Sequence, residues 1–191
     1  MSDAFRSHLE KFIPLESKEY EQIRTFFRTE TVRKKEDLLS EGQVCHSHYF
    51  VLKGILRKFF INEKGTEQTT EFAIENWWMT DTFSFLNDTA SEFFIQAVEK
   101  CELLSIRAEA QEKLLQEHPV MEKYFRCIYQ KAYAANQMRF KYLYGFSSEE
   151  RYTHFLKKQP KFLQRVPQYL IASYLGFTPE YLSEIRKKHI S

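Results

Sequence analysis

The chain has 191 residues, 43% of them hydrophobic and 16% aromatic, enough apolar surface for one large or two small cored domains. Five glycines and five prolines leave no low-complexity linker, and no Walker or dinucleotide loop is present, which excludes the glycine-rich phosphate-binding enzymes. The net charge of +2 conceals an asymmetry, since residues 1–150 carry 20 Lys and Arg against 24 Asp and Glu, whereas residues 151–191 carry 8 against 2.

Tyr20, Ile23, Phe26 and Phe27 recur at helical spacing within a charged segment, so a short amphipathic helix opens the chain over residues 17–27. β-type runs then follow at residues 30–34, 37–40, 47–52, 55–62, 66–74 and 93–104. They are punctuated by turn signals at Glu41-Gly42, Lys53-Gly54 and Asn62-Glu63-Lys64-Gly65, the last being a hairpin turn. Many short strands with regular turns read as a β-sandwich or barrel. After Ser105 the chain turns helical. Residues 108–117 form a short helix stopped by His118-Pro119, and a long helix runs from about Val120 to Tyr144. Along it Met121, Phe125, Ile128, Ala132, Ala135, Arg139 and Tyr142 alternate spacings of three and four, as the seam of a dimer helix requires. Tyr124, Tyr129, Tyr133 and Phe140 form a second band, read as the face that packs on the β-domain. Gly145 suits the position after a helix end, and Ser147 or Ser148 can cap the next helix, 149–158.

The segment from Val166 to His189 has the spacing of a helix-turn-helix. Ile171, Ala172 and Leu175 share one helical face, Gly176 permits a sharp turn, and Thr178-Pro179 supplies an N-cap and a first-turn proline. Tyr181, Leu182 and Ile185 carry the period onward, and Arg186, Lys187 and Lys188 close the second helix in the basic end of the chain. An ordinary terminal helical hairpin has the same local pattern; the charge asymmetry and the preceding elements favour the DNA-binding one.

The order of β-barrel, long helix, hinge and helix-turn-helix resembles the Crp/Fnr family of bacterial transcription regulators. Leu38-Leu39-Ser40-Glu41-Gly42 and Tyr49 to Arg57 resemble the early barrel strands of that family, and Ile171-Ala172-x-x-Leu175-Gly176-x-Thr178-Pro179-Glu180-x-Leu182-Ser183 resembles its DNA-binding helices. The resemblance implies an α+β fold: an N-terminal jelly roll of the cyclic-nucleotide-binding type over 1–119, a dimerisation helix over 120–145, and a helix-turn-helix domain over 146–191. It further implies a homodimer on double-stranded DNA, with RNA polymerase as a further candidate partner.

Departures from the family are as informative. Nucleotide-binding members carry a Gly-Glu pair and, about ten residues on, an Arg-Ser pair that neutralises the cyclic phosphate. Residues 77–86 and 91–93 here contain neither the glycine nor the arginine, and Glu92 would repel phosphate; cyclic AMP is therefore not expected to bind. Trp77, Trp78, Phe83, Phe85 and Phe93 either line an apolar effector pocket or form plain core. His46 and His48 faintly resemble a cupin metal motif, but its glutamate is missing, and two surface histidines near a turn is the better reading. Cys45, Cys101 and Cys127 are odd in number and lie in no Cys-x-x-Cys pair, so they read as buried small hydrophobes. No cofactor and no catalytic constellation is assigned. The chain also stops soon after the recognition helix, so any wing must come from residues 162–166.

In such a module the second helix enters the major groove. Pro179, Glu180, Tyr181, Ser183 and Glu184 are the expected base-reading positions, the glutamates accepting from cytosine amino groups. Thr178, Arg186, Lys187, Lys188, Lys161 and Arg165 are the expected phosphate contacts. The alternative is a small-molecule-binding barrel whose helical tail docks a protein partner. No signal core or bilayer-length apolar run occurs, so a cytoplasmic protein without a membrane partner is expected.

Overall fold

The computed structural model describes residues 4–158 and 162–190. In chain order it contains α1 (Ala4–Leu9), α2 (Ser17–Arg24), β1 (Arg28–Val32), β2 (Asp37–Leu39), β3 (Ser47–Lys53), β4 (Leu56–Ile61), β5 (Glu67–Ala73) and β6 (Trp78–Met79). Next come α3 (Thr82–Asn87), β7 (Phe94–Ala97), β8 (Cys101–Arg107), α4 (Ala108–Glu117) and α5 (Val120–Gly145). The chain closes with α6 (Ser148–Lys158), α7 (Phe162–Arg165), α8 (Gln168–Leu175) and α9 (Pro179–Ile190). The expected α+β class holds. The chain divides into two compact units, Met1–Phe60 with Glu71–Lys131, and Ile61–Thr70 with Ala132–Ser191.

The strands form two four-stranded sheets, ordered β1-β8-β3-β6 and β2-β7-β4-β5, as a jelly roll requires. Alternation along each strand sends successive side chains to opposite faces. In β3, Tyr49 and Val51 therefore join Val32, Leu39, Leu56, Ile95 and Leu103, drawn from both sheets, in one core. Phe50, on the other face, joins Trp78, Leu104 and Ile106 beneath the flanking helices, against Phe5, Leu9, Ile23, Leu114, Met121 and Tyr124. The sheet is thus buried on both faces.

The expected single strand over 93–104 is two strands. β7 pairs with β2 and β4, whereas β8 pairs with β1 and β3, so the chain crosses between sheets at Val98-Glu99-Lys100. Ile95, Ala97, Cys101 and Leu103 all point into the same core, so hydrophobicity runs straight through the turn and conceals it. Gly54 presses on this crossing. Its φ is +103°, and a Cβ there would lie 2.6 Å from Cys101 Sγ and 2.9 Å from the backbone of Lys100 and Cys101.

In the second unit, α6 opens with a capping box: Ser147 Oγ accepts from Glu150 N–H at 3.3 Å, and Glu150 Oε2 accepts from Ser147 N–H at 2.8 Å. Those bonds hold the Glu150 carboxyl below the usual carboxylate range. Two expectations are corrected. Gly145 is the last residue of α5 and does not adopt positive φ, because the α5–α6 break is made by the Ser147 cap rather than by a left-handed glycine. The 162–166 segment supplies no wing strand, since Phe162–Arg165 is a helical turn that buries Phe162 and leads to buried Val166.

Candidate nucleic-acid interface

The α8–α9 pair is built by local capping. Phe177 N–H donates to Ala172 O at 2.8 Å and Gly176 N–H to Ser173 O at 3.2 Å, with Gly176 at φ +77°; this is a Schellman ending, whose left-handed residue favours glycine. Thr178 Oγ1 then accepts from Tyr181 N–H at 3.3 Å and caps α9. Leu170, Ile171, Ala172 and Leu175 from α8 are buried with Leu182 and Ile185 from α9, and Ala172 is fully enclosed. The small side chain lets the two helices approach closely.

Burying Leu182 and Ile185 turns the opposite face of α9 outward. Thr178, Pro179, Glu180, Tyr181, Ser183 and Glu184 are all exposed. Ser183 Oγ donates to Pro179 O at 3.0 Å, so its proton is used within the helix and the hydroxyl oxygen remains an acceptor. Lys187 and Lys188 are exposed and Arg186 is half-buried. Lys188 Nζ lies 3.4 Å from Glu149 Oε1. Arg165 is exposed at the end of α7, and Lys161 lies outside the described residues. Carboxylates therefore occupy the front of the exposed helix face, and cations its rear.

Sequence reasoning did not foresee how the hairpin tip joins this unit. Ser173 Oγ donates to Glu67 O at 2.8 Å and accepts from Thr69 N–H at 2.8 Å. The Arg139 guanidinium donates to Tyr174 O at 3.1 Å and stacks over the Tyr174 ring at 3.9 Å. A lone serine in an apolar helix carries no pattern that would reveal such a pairing.

The aromatic residues considered for an effector pocket are dispersed. Trp77 and Phe83 are exposed, Trp78 is buried in the helix-covered core, Phe85 lies against His48, and Phe93 meets Phe60 edge-on at 6.1 Å. The polar groups of this region satisfy one another instead. Ser91 Oγ donates to the buried Asp81 carboxylate at 2.6 Å, and Asp81 also caps α3. Lys58 Nζ pairs with Glu71 at 2.8 Å and donates to Thr80 O at 3.1 Å. Glu92 is exposed.

His46 is exposed as expected, but His48 is not a surface residue. It is buried among Trp78, Phe85, Phe125 and Tyr129, with ring centroids 4.5–6.0 Å away, because its strand position faces the helix-covered core. Burial holds its imidazole at about 4. Among the described residues, no group of three or more His, Cys, Asp or Glu side chains is placed to hold a metal. Cys45 and Cys101 are buried as expected, and Cys127 is half-buried.

On α5 both bands begin in the core of the first unit, where Tyr124 is buried and Tyr129 packs against it, and both become exposed farther along. Met121 and Phe125 are buried in the first unit and Ile128 packs against that core. Ala132 and Ala135 are exposed, Arg139 is committed to Tyr174, and Tyr142 meets His154 at a tilt, with ring centroids 4.2 Å apart. Tyr133, Phe140 and Tyr144 are 68%, 59% and 86% exposed.

Comparison with known proteins places these observations in a family of folds. Residues 29–118 match the family model described as the cyclic nucleotide-binding domain. Among solved structures, FixK2 of Bradyrhizobium japonicum superposes with a TM-score of 0.74 at 15% identity, covering 85% of this chain and 83% of that one. CLP of Xanthomonas campestris, a c-di-GMP-responsive global regulator, gives 0.70 at 17% identity with 91% of both chains covered. A protein of Eubacterium rectale described as a transcriptional regulator of the Crp/Fnr family gives 0.70 at 15% identity, covering 91% of this chain and 83% of that one. A search of curated proteins finds no match of comparable significance.

Proposed function

We propose, from the match of residues 29–118 to the cyclic nucleotide-binding domain and from the likeness in fold to Crp/Fnr regulators, that the protein is a cytoplasmic, homodimeric transcription regulator that binds an inverted-repeat operator. It is not an enzyme. The observation that carries this reading is the exposed face of α9, held by the Gly176 turn and the Thr178 cap, in the segment where Lys and Arg outnumber Asp and Glu by 8 to 2. Glu180 and Glu184 stand at the major-groove positions, where a carboxylate accepts from cytosine, and Arg165, Arg186, Lys187 and Lys188 hold phosphates.

Two exposed α5 helices supply the dimer contact through Tyr133, Gln137, Phe140 and Tyr144, a heptad spacing on the exposed face. The ion pair of Lys58 with Glu71 and the bond of Ser91 to Asp81 use internally the groups that a cyclic phosphate and ribose would need, which supports a regulator that does not take cyclic AMP. No helix among the described residues is long and apolar enough to cross a membrane.

The test is selection of fragments of the source genome by the purified full chain. Enrichment of an inverted repeat with half-sites roughly 34 Å apart is expected, and enrichment of no sequence overturns the reading in favour of a barrel whose tail docks a protein. Titration with cyclic AMP should give no heat; saturable binding would overturn that part.

A further inference from the structure

A cleft of about 820 Å³ opens in the first unit between the end of α2, the start of β1, the end of β8 and α4. That volume lies within the range of small-molecule sites, roughly 300–1,000 Å³. Arg28 sits opposite Ser105 in the β1–β8 register, and Arg107 follows Ser105 by two residues. The two side chains therefore leave the same face of the sheet from positions about 7–8 Å apart on a diagonal, and both residues line the cleft.

Lys113, the other fixed cation of the cleft, lies 3.6 Å from Glu117, and His118 Nδ1 lies 3.8 Å from Glu19 Oε1. Arg28 and Arg107 make no ion pair or side-chain hydrogen bond among the described residues. Ser105, buried opposite Arg28, spends its proton on the Glu30 carboxylate. Two arginines lining one cleft with no ion pair of their own suit a shared anion with several oxygens, which accepts paired N–H bonds from both. The remaining wall is of different character. Gln22 and Glu109 offer acceptors, and the half-buried ring of Phe26 supplies an apolar surface.

We propose that this cleft binds a phosphorylated, hydroxyl-bearing small molecule, with the phosphate between Arg28 and Arg107 and its hydroxyls on Gln22 and Glu109. The site is separate from the Asp81–Ser91 region and does not depend on the DNA-binding reading. A single phosphate would leave most of the volume unused, so a larger phosphorylated body is the fitting occupant.

Calorimetric titration of the full chain at constant ionic strength tests it, with glucose 6-phosphate, inorganic phosphate and glucose as probes. Saturable binding of glucose 6-phosphate, at least as tight as that of inorganic phosphate and absent for glucose, is expected. Arg28→Gln and Arg107→Gln should each weaken binding roughly tenfold, the loss of one charge-assisted pair; Lys123→Gln, an exposed change on α5, should not. Both arginines are exposed, so the variants should keep the unliganded melting midpoint, which excludes misfolding as the cause of lost binding. No binding by either phosphate probe, binding of inorganic phosphate alone, or undiminished binding in both arginine variants overturns the proposal.

Discussion

Tyr124 shows how one buried hydroxyl fixes its surroundings. It accepts from Trp78 Nε1–H at 2.8 Å and shares a second hydrogen bond, also 2.8 Å, with His8 Nδ1. Tyr124→Phe would leave a buried indole donor and a buried imidazole nitrogen unpaired. A loss of about 2–4 kcal/mol in urea unfolding is expected, and a change below about 0.5 kcal/mol would show that water replaces the hydroxyl. His48 makes a second residue-scale prediction. Burial holds it at about 4, and His8 also at about 4, whereas an unfolded histidine titrates near 6.5. Between these values the unfolded chain binds the extra protons, so stability is intact above about pH 6.5 and falls as the pH drops toward 4. His48 alone accounts for up to about 3 kcal/mol over that interval. Its Nδ1 is buried without a partner among the described residues, so His48→Phe should flatten the pH dependence of the urea midpoint; an unchanged slope would assign the acid sensitivity elsewhere.

At the scale of elements, two glycines with positive φ are not equivalent. A Cβ on Gly176 meets nothing nearer than Arg151 at 3.7 Å, so Gly176→Ala carries only the left-handed backbone penalty, about 1–2 kcal/mol. Gly54→Ala adds a clash with backbone, and urea unfolding should show the larger loss there. A similar division runs along α5. The 121–142 spacing and the 133–144 spacing both fit a heptad in sequence, and only packing separates them: Met121 and Phe125 are consumed by the core above the sheet, whereas Tyr133 and Phe140 remain exposed. Sedimentation should therefore find Phe140→Glu shifted toward monomer with its fold retained. Met121→Ala should instead cost about 2–5 kcal/mol of stability. A Phe140→Glu protein that stays dimeric would move the contact to another face.

For the whole molecule, the basic end predicts how DNA binding depends on salt. Arg165, Arg186, Lys187 and Lys188 give four described cations per protomer near α9. If both heads engage, the slope of log affinity against log salt approaches about −7, less whatever Lys188 gives up to Glu149. Lys187→Ala should shallow that slope by about 2 per dimer without changing the selected sequence. Glu180→Ala should relax selection at one base position and leave the slope nearly unchanged. A slope near zero would identify the tail as a protein-docking element.

The sequence by itself determined what local chemistry controls: most strands, the α4 and α5 boundaries, the Ser147 cap, the Gly176 turn and the Thr178–Pro179 start of α9. Each depends on residues within a few positions of one another, where backbone sterics and capping decide. Tertiary structure alone decided the rest. The crossing at residues 98–100 escaped because both flanking strands feed one core, and His48 became interior because its strand face was covered by helices. The Lys58–Glu71 and Asp81–Ser91 pairs, the Ser173 link to the hairpin and the Arg28–Arg107 cleft join residues ten to more than a hundred positions apart. Hydrophobic periodicity records which side of an element is apolar, but which neighbour covers that side is settled only by packing.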